Sequence, residues 1–201
     1  MNAPGRIIGG MGSPHAPSIA TALNNGKTET AYWKPLFDGY QPMIRWVDEQ
    51  KPDLIIIIAN DHADTFFFDR YPCFALGVAP MHEIADEGWG KWPYPEIPGH
   101  PAFAWQLAHS LVEDEFDMAV CQEMPLDHGF LTPLVCVFPP EKRWTVPVIP
   151  IVVNVLQPPI PSAMRCFKLG QAIRRAVVAH GKGMRVATDP EIRFAEYHIP
   201  Y

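Results

Sequence analysis

The chain has 201 residues, and its 16 Lys and Arg against 22 Asp and Glu give a formal net charge of −6. Hydrophobic residues make up 48% and charged residues 19%, which excludes a disordered or fibrous chain. The acidic balance argues against non-specific nucleic-acid binding, which needs a basic surface. We therefore expect one globular domain over residues 1–201, with 23 prolines, roughly twice the usual share, that favour long ordered loops.

The cysteines and the apolar runs indicate the compartment. The four cysteines are widely spaced, with no C-x-x-C pair, and the sequence shows no signal-peptide pattern. These features favour reduced thiols over two disulfides. The longest apolar run, Leu54–Ala59, is much shorter than the roughly 20 residues that cross a bilayer. We expect a cytoplasmic protein that binds neither membrane nor nucleic acid.

The first half of the chain is predicted to alternate strands with helices. Arg6–Gly10 is predicted to be a short strand that leads into the loop Met11–Pro17, where prolines favour extended backbone. Pro42 suits the first turn of a helix, and an amphipathic apolar stripe follows it. Leu54–Ala59 is a continuous Ile-rich run, typical of a strand buried on both faces, and it ends at Asn60-Asp61-His62.

The second half continues this alternation. Further strands are predicted at Cys73–Val78, Met118–Cys121, Val146–Val155 and from Met184. Helices are predicted at Pro101–Glu113, Leu131–Val137 and Ser162–His180, with a long ordered loop over Ala79–Gly99. The pattern predicts an α/β three-layer sandwich, with a central, largely buried mixed sheet and helices on both faces. Ligands of such sheets bind in loops at the strand ends.

Three histidines share one setting in this predicted fold. His15, His62 and His128 each follow a predicted strand and lie in a loop. A single loop histidine is more often a solvated or locally hydrogen-bonded side chain, whereas three in equivalent positions of one sheet favour a shared site. Imidazole binds Zn, Fe, Cu or Ni, so the spacing leaves the metal open. The sequence contains no phosphate-binding loop and no dinucleotide-binding fingerprint.

Several longer motifs run along the chain in a fixed order. They are Gly12–Pro17, Tyr32–Tyr40, Asn60–His62, Ala85–Gly90, Gly99–Pro101, Asp114–Asp117 and Leu126–Gly129, and Arg165–Arg174 extends them. From Ile8 to about Val178 the chain resembles the catalytic β subunit of class III extradiol dioxygenases, the group of protocatechuate 4,5-dioxygenase and gallate dioxygenase. Because so many motifs occur in one order, the resemblance is specific.

The resemblance implies a non-haem Fe(II) site built from two histidines and one carboxylate. By motif, His15 and His62 correspond to the two imidazole ligands. His128 corresponds to a catalytic histidine beside the substrate. Asn60 and Asp61 correspond to near-site residues that orient the ligand loop.

The same resemblance implies the reaction and the partners. We expect extradiol (meta) cleavage of a protocatechuate-like or gallate-like catechol with O₂, a small α subunit or a fused equivalent of it, and an oligomeric assembly. A non-catalytic or degenerate member of the superfamily that acts as a binding or scaffold protein is the alternative. A zinc-dependent hydrolase that uses the same histidines ranks last, because no motif of its own supports it.

The carboxyl-terminal part departs from the family pattern. The glutamate ligand and the main acid/base histidine of the family belong to segments that have no counterpart after Ala187. The stretch Phe194–Tyr201 resembles a more distal Tyr-His-Ile-Pro segment, so we expect the domain to lack an internal block after residue 187 and the carboxyl-terminal end. The sequence is then either part of a longer chain or a truncated gene product. Glu191, Glu196 and His198 are given no role.

Overall fold

The computed structural model describes residues 3–138 and 145–190, with residues 189 and 190 described by their backbone alone. The stretch Phe194–Tyr201, with Glu196 and His198, lies outside the described residues, as does Glu191. Nothing in the structure therefore tests the expectation of a block missing after residue 187.

The described residues form eight strands and five helices. The strands are β1 (Arg6–Gly10), β2 (Leu54–Ala59), β3 (Phe74–Gly77), β4 (Met81–His82), β5 (Ile97–Pro98), β6 (Ala119–Cys121), β7 (Val148–Val153) and β8 (Arg185–Pro190). The helices are α1 (Pro17–Asn24), α2 (Lys34–Gln50), α3 (Pro101–Glu113), α4 (His128–Val137) and α5 (Ala163–His180).

Six of these strands form one mixed sheet in the order β1-β8-β2-β7-β3-β6. The first four strands are parallel, whereas β3 pairs antiparallel with β7 and parallel with β6. Val152 of β7 pairs with Ala59 of β2 on one side and with Ala75 of β3 on the other. Strand β7 thus joins the parallel strands to the antiparallel neighbour β3. The short strands β4 and β5 pair separately within the long loop before α3.

A separate hydrophobic core covers each face of the sheet. All six residues of β2 are buried, and their side chains alternate between the two cores. Ile55 and Ile57 pack in the core that contains residues of α1, α2 and α4, whereas Ile56 packs in the core that contains residues of α3 and α5. The structure is therefore the predicted three-layer α/β sandwich, with helices on both faces of a mixed sheet.

Two helices differ from the prediction. Helix α1, which has eight residues, was not predicted: Ala16 supplies no side-chain cap, and the helix is short. Helix α2 begins at Lys34 rather than at Pro42, because Pro35 is the proline in its first turn. The predicted start was wrong since Pro42 lies inside the helix, whose first half is held in the core by buried Phe37 and Tyr40.

The setting of His128 also differs from the prediction. The sequence placed Asp127-His128-Gly129 in a loop after a strand, but α4 begins at His128. The reason is local, because the Asp127 side chain accepts a hydrogen bond from the Gly129 N–H at 2.8 Å and caps the helix. Strand β6, which precedes α4, runs opposite to β2. His128 and His62 therefore do not follow equivalent strands.

The cysteines and the helices allow two further checks of the sequence predictions. None of the four cysteines is in a disulfide bond, and Cys136 and Cys166 are buried. Within residues 3–138 and 145–190, each helix is too short or too polar to cross a membrane.

Candidate active site

The three histidines singled out in the sequence lie together, where β2 ends and α4 begins. The ring centroids of His62 and His128 are 4.0 Å apart, and His15 lies 5.0 Å from His62 and 5.9 Å from His128. The possible ligand atoms of all three side chains lie within 4.8 Å of one another. The structure therefore gathers these residues into one cluster, and their individual roles stay predictions.

His15 is carried by the loop between β1 and α1. The Ser13 Oγ and the Tyr40 hydroxyl oxygen, from a loop and from α2, are 2.7 Å apart and share a buried hydrogen bond. The Tyr40 hydroxyl also donates to the Pro14 carbonyl oxygen at 3.3 Å. Helix α2 therefore anchors the two residues that precede His15. Tyr40 was not singled out in the sequence, although it lies in one of the family-like motifs.

His62 is held by a buried carboxylate. The Asp127 Oδ2 accepts a hydrogen bond from the backbone N–H of His62 and lies 2.9 Å from its Nδ1. The other ring nitrogen, Nε2, lies 3.1 Å from the Asn60 Nδ2. Burial raises the pKa of Asp127, but its hydrogen bonds and charge interaction with His62 outweigh this, and the pKa lies below its ordinary value.

Asp61 organises the loop that follows His62. Its buried carboxylate accepts hydrogen bonds from four consecutive backbone N–H groups at 2.9 to 3.2 Å. They belong to Ala63, Asp64, Thr65 and Phe66. The Tyr71 hydroxyl donates to the Asp61 carbonyl oxygen. Burial raises the pKa of Asp61 more than these backbone hydrogen bonds lower it. Asp61 thus holds the loop in place, and its near-site role stays a prediction.

Sequence reasoning missed Glu87, which holds His128. The Glu87 Oε2 accepts the backbone N–H of His128 at 3.1 Å, and its Oε1 contacts the ring Nδ1. Both side chains are largely buried, with 8% of Glu87 and 10% of His128 exposed. The sequence showed Glu87 only as part of an Asp-Glu-Gly motif. The one available signal was an acidic residue beside glycine in a loop otherwise rich in tryptophan and proline.

The electrostatics of the cluster fit a bound cation. Burial and then the nearby carboxylates of Asp61 and Asp127 raise the pKa of Asp64 to about 6. Asp127 and Glu87 each contact the Nδ1 of one imidazole, which leaves the Nε2 of His62 and of His128 to face other partners. Carboxylate–histidine pairs of this kind orient the ligands of metal ions in proteins. The donor set of the cluster therefore suits a divalent transition metal.

Other histidines lie outside this cluster. The His100 Nδ1 accepts the N–H of Phe103 at 3.2 Å and caps α3. His109 lies on the exposed side of α3, and His82 is buried in β4. The sequence assigned these residues no site role. In the structure His100 caps a helix, His109 lies on the surface and His82 lies in the interior.

The chain is similar to several known proteins. Residues 9–188 match the family model described as the catalytic LigB subunit of aromatic ring-opening dioxygenase. Gallate dioxygenase of Pseudomonas putida is 44% identical over 104 residues, which are 52% of this chain and 31% of that protein.

Two further relatives carry the name 2,3-dihydroxyphenylpropionate/2,3-dihydroxicinnamic acid 1,2-dioxygenase. The protein of Photorhabdus laumondii is 33% identical over 134 residues, 67% of this chain and 40% of that protein. The protein of Escherichia coli is 36% identical over 124 residues, 62% of this chain and 38% of that protein. The matched part is thus less than half the length of each curated relative. Because the family model covers most of the sequence, the chain belongs to the family of catalytic LigB subunits of aromatic ring-opening dioxygenases.

Proposed function

We propose that this chain provides the metal-binding histidines of an Fe(II)-dependent extradiol dioxygenase that opens a protocatechuate-like or gallate-like catechol with O₂. The observation that carries the proposal is the His15, His62 and His128 cluster, in which two rings are oriented by buried carboxylates. Family membership and the name of the gallate dioxygenase relative support the same reaction class.

His15 and His62 are the proposed protein ligands of the iron. The contact of the His62 Nδ1 with Asp127 leaves the lone pair on Nε2 as the ligand. Asn60 is proposed as a near-site residue, since its amide nitrogen lies 3.1 Å from that atom. Asp61 keeps the loop after His62 in place through its backbone hydrogen bonds. Iron bound here would supply Lewis acidity and a redox partner for O₂.

His128 is the proposed catalytic residue. Its ring centroid lies 4.0 Å from that of His62, so a catechol held next to the ligands would also lie next to His128. With Nδ1 on Glu87, the Nε2 of His128 is the atom that accepts the proton of a catechol hydroxyl group. The chain thereby contributes both the metal ligands and a proton acceptor to one site.

The wider assembly is part of the same proposal. The family description names a catalytic subunit, which supports a small α subunit or a fused equivalent as partner and an oligomeric enzyme. The four cysteines, none of them in a disulfide bond, support the predicted cytoplasmic location. The single domain of residues 1–201 stays a prediction.

Iron loading tests the proposal. The protein is loaded anaerobically with Fe(II), mixed with protocatechuate or gallate and O₂, and followed with an oxygen electrode and by the absorbance of the ring-opened product. We expect one O₂ consumed per catechol. His62→Ala should lose iron and turnover, His128→Ala should keep iron but turn over slowly, and His109→Ala, on the exposed side of α3, should match the unmodified protein.

Failure of the assay has a defined meaning. If the iron-loaded protein binds catechols without consuming O₂, the binding-protein alternative replaces the enzyme. If His62→Ala retains full iron content, the assignment of the ligand is wrong.

A further inference from the structure

We propose that Glu87 is a positioning residue for His128, which it holds as the tautomer with the proton on Nδ1 and the lone pair on Nε2. The proposal deepens the proposed function and rests on it for its effect on turnover. The inference about the tautomer itself rests on the contacts of Glu87 alone.

The contacts of Glu87 dictate the tautomer. An ionised carboxylate only accepts hydrogen bonds, and the Glu87 Oε2 already accepts the backbone N–H of His128 at 3.1 Å. The Oε1 contacts the ring Nδ1, so Nδ1 must carry the proton. In the neutral ring the lone pair then lies on Nε2. Because both side chains are largely buried, water competes little for these two hydrogen bonds.

The backbone fixes the relative position of the two residues. Leu126, two residues before His128, accepts the N–H of Ala85 at 3.0 Å. The N–H of Leu126 donates to the Glu83 carbonyl oxygen at 2.8 Å. The chain segments that carry Glu87 and His128 are therefore hydrogen-bonded to each other just before each of these residues. This backbone pairing places the two side chains in contact.

A tight turn directs Glu87 inward. The Asp86 Oδ1 accepts the N–H groups of Gly88 at 3.1 Å and of Gly90 at 2.9 Å. The φ angles of these glycines are 93° and 89°, which residues with a side chain rarely adopt. Trp89 between them is 61% exposed, so the turn presents its tryptophan to solvent and Glu87 to His128.

Glu87 differs in its expected effect from the other carboxylate of the cluster. Asp127 contacts His62, a proposed iron ligand, whereas Glu87 contacts the proposed catalytic histidine. Loss of Glu87 should therefore slow turnover and leave iron binding intact. This separation distinguishes a positioning role from a general structural role.

Glu87→Gln is the decisive variant, because it keeps the shape of the side chain and changes only its hydrogen bonding. In the same position, a glutamine turns its NH₂ donor towards one of the two N–H groups of His128 that the two oxygens of Glu87 accept. We expect kcat to fall about 10- to 100-fold, with the iron content and the KM for the catechol unchanged. Glu83→Gln is the matched control, since Glu83 is exposed on the same loop and pairs with Lys91 at 2.7 Å. It should leave kcat unchanged.

Nuclear magnetic resonance reads the tautomer without any turnover. The 201-residue chain, free of paramagnetic iron, is labelled with ¹⁵N-histidine, and the His128 signals are identified by their loss in His128→Gln. We expect the Nδ1–H tautomer in the unmodified protein and in Glu83→Gln, and a shift towards the Nε2–H tautomer in Glu87→Gln.

The possible outcomes separate the two proposals. An Nε2–H tautomer in the unmodified protein, or an unchanged tautomer in Glu87→Gln, would overturn the role of Glu87. Loss of iron in Glu87→Gln would overturn it as well, because the residue would then support the metal ligands. If the unmodified protein cleaves no catechol, the proposed function fails, while the spectra still decide the tautomer.

Discussion

Asp127 binds His62 at two points, and it also caps the helix that begins at the next residue. Its Oδ2 lies 2.9 Å from both the backbone nitrogen and the Nδ1 of His62. Its Oδ1 accepts the N–H of Gly129 at 2.8 Å. One buried carboxylate thus joins the end of β2 to the start of α4. The same hydrogen bonds that stabilise the fold also orient a proposed metal ligand.

Asp127→Asn should separate these two functions of the carboxylate. Asparagine caps helices about as well as aspartate, so the free energy of unfolding should fall only through the loss of the acceptor for the His62 backbone N–H, by about 1 kcal/mol. Its single acceptor oxygen cannot replace Oδ2 at the His62 Nδ1 while it also caps α4, so the ring loses its orientation. We expect Fe(II) affinity to fall about 10- to 100-fold, measured by anaerobic titration.

Ser162→Ala is the matched control for that experiment. The Ser162 Oγ caps α5 by accepting the N–H of Arg165 at 3.2 Å, far along the chain from the histidines. Its removal should cost about 1 kcal/mol of unfolding free energy and leave Fe(II) affinity unchanged. An Asp127→Asn protein with full Fe(II) affinity would contradict the orienting role.

Gly129→Ala should disturb the site through one methyl group. A Cβ at Gly129 would lie 3.0 Å from the Asp127 Oδ1, 3.0 Å from the His62 Cε1 and 3.1 Å from the Asn60 carbonyl oxygen. Because the backbone cannot move away as easily as a side chain, the Asp127 carboxylate and the His62 ring must give way by a few tenths of an ångström. We expect Fe(II) affinity to fall by about tenfold, measured by the same anaerobic titration.

Gly170→Ala shows whether such a loss is specific to the site. A Cβ at Gly170 of α5 meets no atom within 4 Å. Alanine should therefore stabilise this helix by up to about 1 kcal/mol and leave Fe(II) affinity unchanged. Equal affinities in the two glycine variants would show that α4 relaxes without moving His62.

The sequence predicted best those strands and helices whose bounds are marked by their own residues, such as an apolar run, a first-turn proline or a capping serine. The apolar run Leu54–Ala59 and the proline-started Pro101–Glu113 have the predicted bounds. Helix α5 begins after the predicted cap, Ser162. The start of helix α2 was predicted wrongly because Pro42 lies inside the helix rather than in its first turn. The packing of its first half in the core is not visible in the local sequence.

The sequence singled out the histidines of the candidate site, with Asn60 and Asp61 beside them, but not the carboxylates of Asp127 and Glu87 that contact the rings. His15 and His62 stand out because each follows a strand of the parallel part of the sheet. Glu87 lies 41 residues before His128 and reaches it only through tertiary pairing. The antiparallel direction of β6 was likewise invisible in the sequence, because a three-residue strand shows no sign of its orientation.

Asp61→Ala should cost more stability than its position in a loop suggests. The change leaves the four backbone N–H groups of the following residues without their acceptor, the one of Phe66 in a buried position and the other three in partly buried positions. We expect a loss of about 2 to 4 kcal/mol in unfolding free energy, measured by urea unfolding, because an unpaired donor shielded from water costs about 1 kcal/mol or more. Asp61→Asn, which keeps one acceptor oxygen, should lose less.

Asp69→Ala is the control for this loop. Asp69 is exposed and pairs with the neighbouring Arg70 at 2.9 Å, a contact that contributes little in water. Its removal should change the unfolding free energy by no more than about 0.5 kcal/mol. Similar losses in Asp61→Ala and Asp69→Ala would show that Asp61 does not organise the loop.

His82 should make the stability of the fold depend on pH. It is 1% exposed, and a Cβ at Gly77 or Gly99 would lie 2.9 or 3.1 Å from its ring. Burial lowers the pKa of its imidazole below the ordinary value of 6.5. As the pH falls through 6.5, the unfolded chain therefore binds a proton that the folded protein does not.

The stability that His82 contributes is therefore complete above its unfolded pKa and is lost as the pH falls towards its folded pKa. The loss amounts to at most about 1.4 kcal/mol per pH unit. His82→Leu removes the titrating group and keeps an apolar side chain in the cavity. The unfolding free energy of both proteins is measured in urea from about pH 7 to about pH 5. In the difference between the two values, the contributions of the other titrating groups cancel. We expect the free energy of unfolding of His82→Leu to rise relative to that of the unmodified protein as the pH falls. A constant difference would show that the buried His82 ring takes up a proton as readily as the same ring in the unfolded chain.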